Sequence, residues 1–276
     1  MKKIFLYVLI LFILIVGISL YVFDTKDNKL LDKKLKELDY VNKKIDYFKY
    51  INIDRYIDYK KKNPSIDIID VVTRVNLNLD YPFYSNTSIS NVLNKSNILV
   101  NKYIYLPIDY VPNNLETIDN KYTDGNKLLV SDARINLEEM AMDAKKEGLN
   151  IRVISAYRDY NYQKELYNKY VLKDGKDIAD TYSARPGFSE HQTGLVIDVD
   201  NINLSYEQFE STEEFNWMKN NSYKYGYILR YPEDKEYITG YYYEPWHYRY
   251  VGKKIAKYIH DTDITFDEYY IRFIEK

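Results

Sequence analysis

Two short segments, far apart in the chain, carry groups that only a tertiary fold can bring together. The first runs Ser189-Glu190-His191-Gln192-Thr193-Gly194-Leu195-Val196-Ile197-Asp198, the second Glu244-Pro245-Trp246-His247. The chain has 3 histidines, and two of them sit in these segments, each near an acidic residue. Two imidazoles and one carboxylate make a three-ligand zinc site with one coordination position left for water. A local helical metal motif would carry two histidines four positions apart on one helix face, and no such pair occurs. His191, Asp198 and His247 must therefore converge from separate backbone segments, which demands a fold that places a loop and two strand ends at one point.

The local pattern supports that demand. Leu195–Val199 is an apolar run that predicts a strand, and alternate residues of a strand share a face. Asp198 then points with Val196 and Asp200, opposite Leu195, Ile197 and Val199. His191 falls on the loop before this strand, and Gly194 allows that loop a close approach. His247 follows a tyrosine-rich strand and the rigid Pro245.

The chemistry such a set supplies is metal-assisted hydrolysis. Glu244, three residues before His247, is placed to take a proton from water and pass it to a departing amine. A tetrahedral oxyanion needs a positive donor besides the metal. Arg158, in Ser155-Ala156-Tyr157-Arg158 just after a second buried strand, is the natural candidate, since its planar fork suits carbonyl or carboxylate oxygens. Taken singly, each residue has a plainer reading. His191 or His247 would be a satisfied core histidine, and Glu244 an ion-pair partner of Arg249 or Arg230. Arg158 would pair with Asp159 or Glu165 on its own helix, and His260 would sit in the last turn of a helix where a cation is mildly favoured. Their joint occurrence, with so few histidines available, favours the metal site.

Composition narrows the setting. The 276 residues are 46% hydrophobic and 29% charged, enough for one ordinary globular domain plus extra segments. A net charge of −2 gives no global field for nucleic acid. With 0 cysteines there is no disulfide, thiolate zinc site, cysteine nucleophile or lipidated cysteine. Lys2 and Lys3 precede a charge-free apolar run over 4–23. Roughly twenty residues at about 1.5 Å each span about 30 Å, the thickness of a bilayer core. The run ends Tyr21-Val22-Phe23-Asp24 without a small-residue cleavage site, so it predicts an uncleaved signal anchor rather than a cleaved leader. The flanking lysines leave 1–3 as a cytoplasmic tail and place the rest outside.

Residues 24–94 predict a helical stalk or small N-terminal subdomain. Leu30, Leu31, Leu35, Leu38, Val41, Ile45 and Phe48 follow helical spacing, and Asn63-Pro64 is a stop. From 66 to 122, short apolar runs at Ile68-Ile69, Val71-Val72, Ile98–Val100 and Tyr103–Leu106 alternate with turn residues. Further on, a helix is predicted from Asn136 to Gly148, a strand over Ile151–Ser155, a helix over Ala156–Tyr170, and a helix opened by Ser211 with Glu214 that stops near Gly226. Strands are predicted over Tyr227–Tyr231 and Ile238–Tyr243, and a helix over Val251–His260. Helices and strands alternate without the spacing of a doubly wound sheet, which favours an α+β fold.

At these residues the sequence resembles the zinc D-alanyl-D-alanine carboxypeptidases of the VanY type. The family pattern S-x-H-x(2)-G-x-A-x-D is matched from Ser189 to Asp198, with Val196 in place of the usual alanine. E-P-W-H is matched by Glu244–His247, and S-x-Y-R by Ser155–Arg158 followed by Gln163. Ser183–Phe188 is also similar, though many members have His where Phe188 stands. The likeness covers about 95–276, so those residues are expected to form the catalytic domain, a small antiparallel sheet with flanking helices in the Hedgehog/DD-peptidase manner.

The resemblance implies one zinc ion per chain on His191, Asp198 and His247. It implies Glu244 as catalytic base, Arg158 as oxyanion stabiliser, and Ser155, Gln163 and Ser189 as substrate contacts. The activity it implies is removal of the C-terminal D-alanine from D-Ala-D-Ala in peptidoglycan stem peptides. An L,D-carboxypeptidase or endopeptidase on wall peptides, or a non-catalytic wall-binding module, are the alternatives.

Overall fold

The structure is a computed structural model and describes residues 36, 38–201 and 206–275. The anticipated cytoplasmic tail 1–3 and membrane span 4–23 lie outside these residues, as does the stalk up to 35. Among the described residues no helix is long and apolar enough to cross a membrane.

The chain divides into two compact units, one ending at Val75 and the other beginning at Asn76. The first holds a helical stretch over 38–44, α1 (Ile53–Lys62) and α2 (Ile68–Asn76). Leu38, Val41, Tyr56, Ile57, Val71, Val72 and Val75 are among its buried positions. The apolar pairs Ile68-Ile69 and Val71-Val72 are thus helical. Val71, Val72 and Val75 recur at one-helix-face spacing, which competes with strand propensity in so short a run. Helix α1 ends at Asn63, whose side chain donates to the Tyr59 carbonyl, where the stop was anticipated.

The second unit contains the remaining elements. Strands β1 (Ser88–Ile89) and β2 (Ile104–Tyr105) pair in parallel, and β3 (Leu115–Thr117) and β4 (Leu128–Val130) pair antiparallel. Residues 76–94, grouped with the stalk on sequence grounds, belong to this unit through the β1–β2 pairing. Helix α3 (Ser131–Lys146) follows β4 directly and buries Ala133, Leu137, Met140, Ala141 and Ala144. It begins five residues before the predicted start, so Asn136 is no cap: it lies inside the helix with its side chain on the Asp132 carbonyl.

The principal sheet is four-stranded and antiparallel, in the order β5 (Arg152–Ser155), β6 (Val196–Asp200), β8 (His247–Tyr250), β7 (Tyr227–Leu229). Between β5 and β6 come α4 (Tyr160–Asp174) and α5 (Lys176–Tyr182). Helix α4 was predicted from Ala156. Its start is set by Asp159, whose carboxylate accepts from the Tyr162 amide at 2.7 Å, leaving 156–159 as a loop.

Between β6 and β7 lies α6 (Glu213–Asn221), capped by Thr212 accepting from the Phe215 amide rather than by the Ser211 of the predicted capping box. The Glu214 carboxylate instead accepts from the Asn150 amide. The strand anticipated over Ile238–Tyr243 is replaced by the single turn α7 (Glu236–Thr239). Gly240 follows at φ 74, where a Cβ would meet the Phe83 ring at 2.8 Å, and the tyrosines after it pack individually rather than in a ladder. Helices α8 (Lys253–Thr262) and α9 (Phe266–Phe273) close the unit, α9 with a Thr265/Glu268 capping box.

One face of the sheet is the main core. Leu195, Ile197 and Val199 pack with Tyr248, Tyr250, Val153 and the buried side of α3. Burying a side chain of this size contributes roughly 1.5–3 kcal/mol, so this face anchors the sheet. The opposite face is also buried, yet it carries Asp198, Asp200, His247 and Arg249. The alternation expected of the Asp198 strand is therefore realised: apolar to the core, polar to the site.

Candidate active site

Register decides the site. Asp198 pairs directly with His247 across β6–β8 and with Ser155 across β5–β6, where a register shift between Val153 and Ser155 brings Ser155 level. Ser155, Asp198 and His247 thus stand abreast on three strands. His191 arrives from the 3-10 turn Glu190–Thr193, which Ser189 caps by accepting from the His191 amide. Gly194 ends that turn at φ 66, and a Cβ there would come within 2.8 Å of Leu115. Glycine lets the turn press against the β3–β4 hairpin and deliver His191 beside Asp198.

His191 Nδ1 lies 2.6 Å from the Ala156 carbonyl, which can only accept, so Nδ1 carries the proton and Nε2 presents its lone pair. That Nε2 is 3.2 Å from Asp198 Oδ2, and His247 Nδ1 is 3.0 Å from Asp198 Oδ1. One ligand atom from each of the three residues lies within 4.8 Å of the others, all three residues buried. Asp198 Oδ1 and His247 Nε2 are buried without a hydrogen-bond partner. Two imidazole nitrogens and a carboxylate oxygen are the donor types zinc takes, so the residues fit the ion.

Burial, aided by the neighbouring Arg158 charge, pushes His191 down to about 4, which keeps it neutral as a ligand must be. Burial alone would raise the Asp198 carboxyl. The basic groups packed around it, with the Arg158 guanidinium donating to Oδ2, outweigh that and hold it well below the usual carboxylate range.

Arg158 is locked in place. Its Nε donates to Ser155 Oγ at 3.0 Å, Nη1 to Gln163 Oε1 at 3.3 Å and Nη2 to Asp198 Oδ2 at 2.6 Å. Nη2 also lies 3.0 Å from His191 Nε2. Gln163 is fixed in turn by donating to the Ala184 carbonyl at 2.8 Å. Neither Asp159 nor Glu165 takes this guanidinium: Asp159 caps α4.

Glu244 is 7% exposed, with Oε2 3.4 Å from His247 Nδ1. It is not the partner of Arg230 or Arg249, which bind Glu190. Burial raises its carboxyl to about 7, against the lowering pull of His247. In the metal-free protein this has a consequence for stability. The unfolded carboxyl titrates at its ordinary value near 4.5, so the cost of ionising the buried group grows as pH rises from there to about 7 and is full above it. Metal-free Glu244→Gln is therefore expected to be more stable than the native chain at pH 8, by on the order of 3 kcal/mol at most, and equally stable near pH 4. Urea unfolding at the two pH values checks this; a gap that persists at pH 4 would show a different cause.

All eight residues singled out from the sequence line one cleft of about 530 Å³: Ser155, Arg158, Gln163, Ser189, His191, Asp198, Glu244 and His247. Ser155 and Gln163 brace Arg158 directly. His260 stands apart, exposed and stacked on Tyr223 at 3.8 Å. The sequence did not single out the outer wall of the cleft: Tyr162, Leu166, Tyr170, Asp174, Tyr182, Tyr206 and Glu207. With 33 tyrosines in the chain, no individual ring carried a signal. Tyr241, in the segment predicted as a strand, also lines it.

A buried ligand triad, a neighbouring carboxyl with a raised pKa and a fixed guanidinium, opening on a cleft, define a mononuclear zinc hydrolase. The family model described as VanY, D-alanyl-D-alanine carboxypeptidase, matches residues 126–253. The Bacillus subtilis protein YodJ is 42% identical over 191 residues, covering 66% of this chain and 70% of YodJ. Among solved structures, the LdcB LD-carboxypeptidase superposes with a TM-score of 0.60 at 42% identity, covering 63% of this chain and 85% of LdcB. A vancomycin-resistance D,D-pentapeptidase VanY, solved with Zn(II), gives 0.55 at 34% identity, covering 63% and 98%. The chain belongs to the VanY family of zinc carboxypeptidases.

Proposed function

We propose that this enzyme removes the C-terminal D-alanine from peptidoglycan stem peptides ending in D-Ala-D-Ala. The observation that carries the reading is the convergence of Glu244 and Arg158 on the His191/Asp198/His247 triad at the floor of one cleft. Zinc held by the triad supplies a Lewis acid for the scissile carbonyl and lowers the pKa of water. Glu244, buried with its carboxylate 3.4 Å from His247 Nδ1, takes a proton from the attacking water and delivers it to the departing amine. Arg158, held by Ser155 and Gln163, donates to the oxygen on which negative charge develops. Ser189 lines the same floor and helps hold the peptide end.

A second reading is L,D-specific trimming of tetrapeptides. The 42% identity to the LdcB LD-carboxypeptidase supports it, while the D,D-pentapeptidase likeness supports the first. The same hydrolytic centre serves both, and pocket shape discriminates. The full chain in detergent, with one equivalent of zinc, is to be incubated with pentapeptide and tetrapeptide muropeptides and followed by mass spectrometry. Loss of one alanine from the pentapeptide alone is expected; loss from the tetrapeptide alone moves the assignment to L,D.

We further propose that the catalytic unit works outside the cytoplasmic membrane, anchored through 4–23. The charge-free run after Lys2 and Lys3 supports this, as does the location of a wall substrate. Trypsin added to cells stripped of wall should degrade the C-terminal unit; protection until lysis would refute the topology.

A further inference from the structure

Four buried charged residues, Glu190, Arg230, Arg249 and Asp267, adjoin the metal site, and none has a part in the mechanism above. Glu190 precedes His191, and its side chain is fully buried. Both of its carboxylate oxygens accept from Arg230 Nε at 3.0 Å, and Oε1 also accepts from Arg249 Nη1 at 2.8 Å. Arg249 stands two residues after His247 on β8, and its Nη2 donates to the Ser96 and Ile98 carbonyls at 3.1 and 2.6 Å. Arg230 follows β7, and its amide donates to the His247 carbonyl at 3.1 Å. Its Nη1 donates to Asp267 Oδ2 at 2.6 Å, and Asp267 Oδ1 accepts from Asn101 at 2.8 Å. The arginines and carboxylates balance in charge.

The three ligands are not equally constrained. Asp198 and His247 face each other within one ladder, so their spacing is fixed by β pairing. His191 lies on a turn outside the ladder. That turn is tied by charge-assisted bonds, short and directional, from Glu190 to Arg249 on the strand carrying His247 and to Arg230 just after the neighbouring β7. Burying four charged groups is costly, and apolar side chains of similar volume often hold a core together as well or better. What apolar packing does not supply is a fixed direction between two backbone segments.

We infer that Glu190 is a positioning residue for the metal site: clamped by Arg230 and Arg249, with Asp267 holding Arg230, it sets the distance of His191 from the Asp198–His247 pair and so tunes zinc affinity and coordination geometry. The inference rests on the zinc reading above.

The test compares native protein with Glu190→Gln, Glu190→Asp and Asp267→Asn. Zinc dissociation constants come from chelator competition, coordination geometry from the visible absorption of the cobalt-substituted protein, and folding from near-ultraviolet circular dichroism and urea unfolding. Glu190→Gln is expected to fold, to weaken zinc about tenfold or more and to alter the cobalt bands. Glu190→Asp, which keeps the charge, should recover part of the loss. Asp267→Asn, remote from the ligands, should shift both readouts in the same direction by less.

A fall in urea midpoint with native zinc affinity and native cobalt bands would overturn the inference, leaving the cluster a structural one. If Glu190→Gln does not fold, Asp267→Asn and Arg249→Lys decide by the same two readouts. Native protein that binds neither zinc nor cobalt would overturn the zinc reading itself, an outcome distinct from the others.

Discussion

Glu244→Gln is expected to bind zinc as the native enzyme does and to turn over about 10²–10⁴-fold more slowly. The amide fills the same volume, and the ligand atoms on His191, Asp198 and His247 are untouched. What disappears is the buried carboxylate beside the ligand His247, the group placed to accept a proton from water and release it to an amine. The loss should fall on kcat with KM little changed, because Glu244 acts on the moving proton rather than on the resting peptide. Steady-state kinetics on a D-Ala-D-Ala peptide, with metal content measured on the same sample, decide the point. Full activity in the variant would remove Glu244 from the mechanism.

Metal removal should have the larger effect. Dialysis against a chelator is expected to abolish turnover, and one equivalent of zinc to restore it. His191→Ala should lower bound zinc at equimolar metal to near zero, since a two-ligand remnant no longer closes the site. Zinc should also raise the unfolding temperature of the native protein. A ligand that binds only the folded state stabilises it by about 4 kcal/mol at a thousandfold excess over its dissociation constant. That increment should vanish in His191→Ala. Elemental analysis and thermal unfolding with and without metal measure both, and unchanged zinc content in His191→Ala would refute the ligand set.

Much of the site was legible because strand alternation is a local property. The run Leu195–Val199 placed Asp198 on the face away from the core from spacing alone, and the observed core membership of Ile197 and Val199 agrees. The scarcity of histidine made His191 and His247 informative in a way that no tyrosine could be. What sequence did not carry was register: nothing in Ser155 indicates that a shift in the β5–β6 ladder sets it level with Asp198. Glu190 was in view within the motif, but its burial between two arginines depends on β7 and β8 lying side by side. The misplaced helix starts at Ala156 and Ser211 share one cause: several residues near each boundary can cap, and Asp159 and Thr212 are the ones that do. The helix predicted from Asn136 instead runs straight on from β4 at Ser131 without a side-chain cap. Ile238–Tyr243 failed for another reason: apolar tyrosines suit a strand, but Gly240 and the close Phe83 ring turn the chain instead.

The cleft is built from two sources with little overlap. Its floor comes from β5, β6, β8 and the turn holding His191, whereas its outer wall comes from Tyr162, Leu166, Tyr170 and Asp174 on α4, Tyr182 on α5, and Tyr206 and Glu207. No metal ligand belongs to that wall. Substitutions there can therefore remodel which peptide is admitted while the hydrolytic apparatus stays intact. A lineage with this architecture can change diet without relearning its chemistry, and an engineer can vary those wall positions with the same freedom so long as Gln163 on α4, which braces Arg158, is kept.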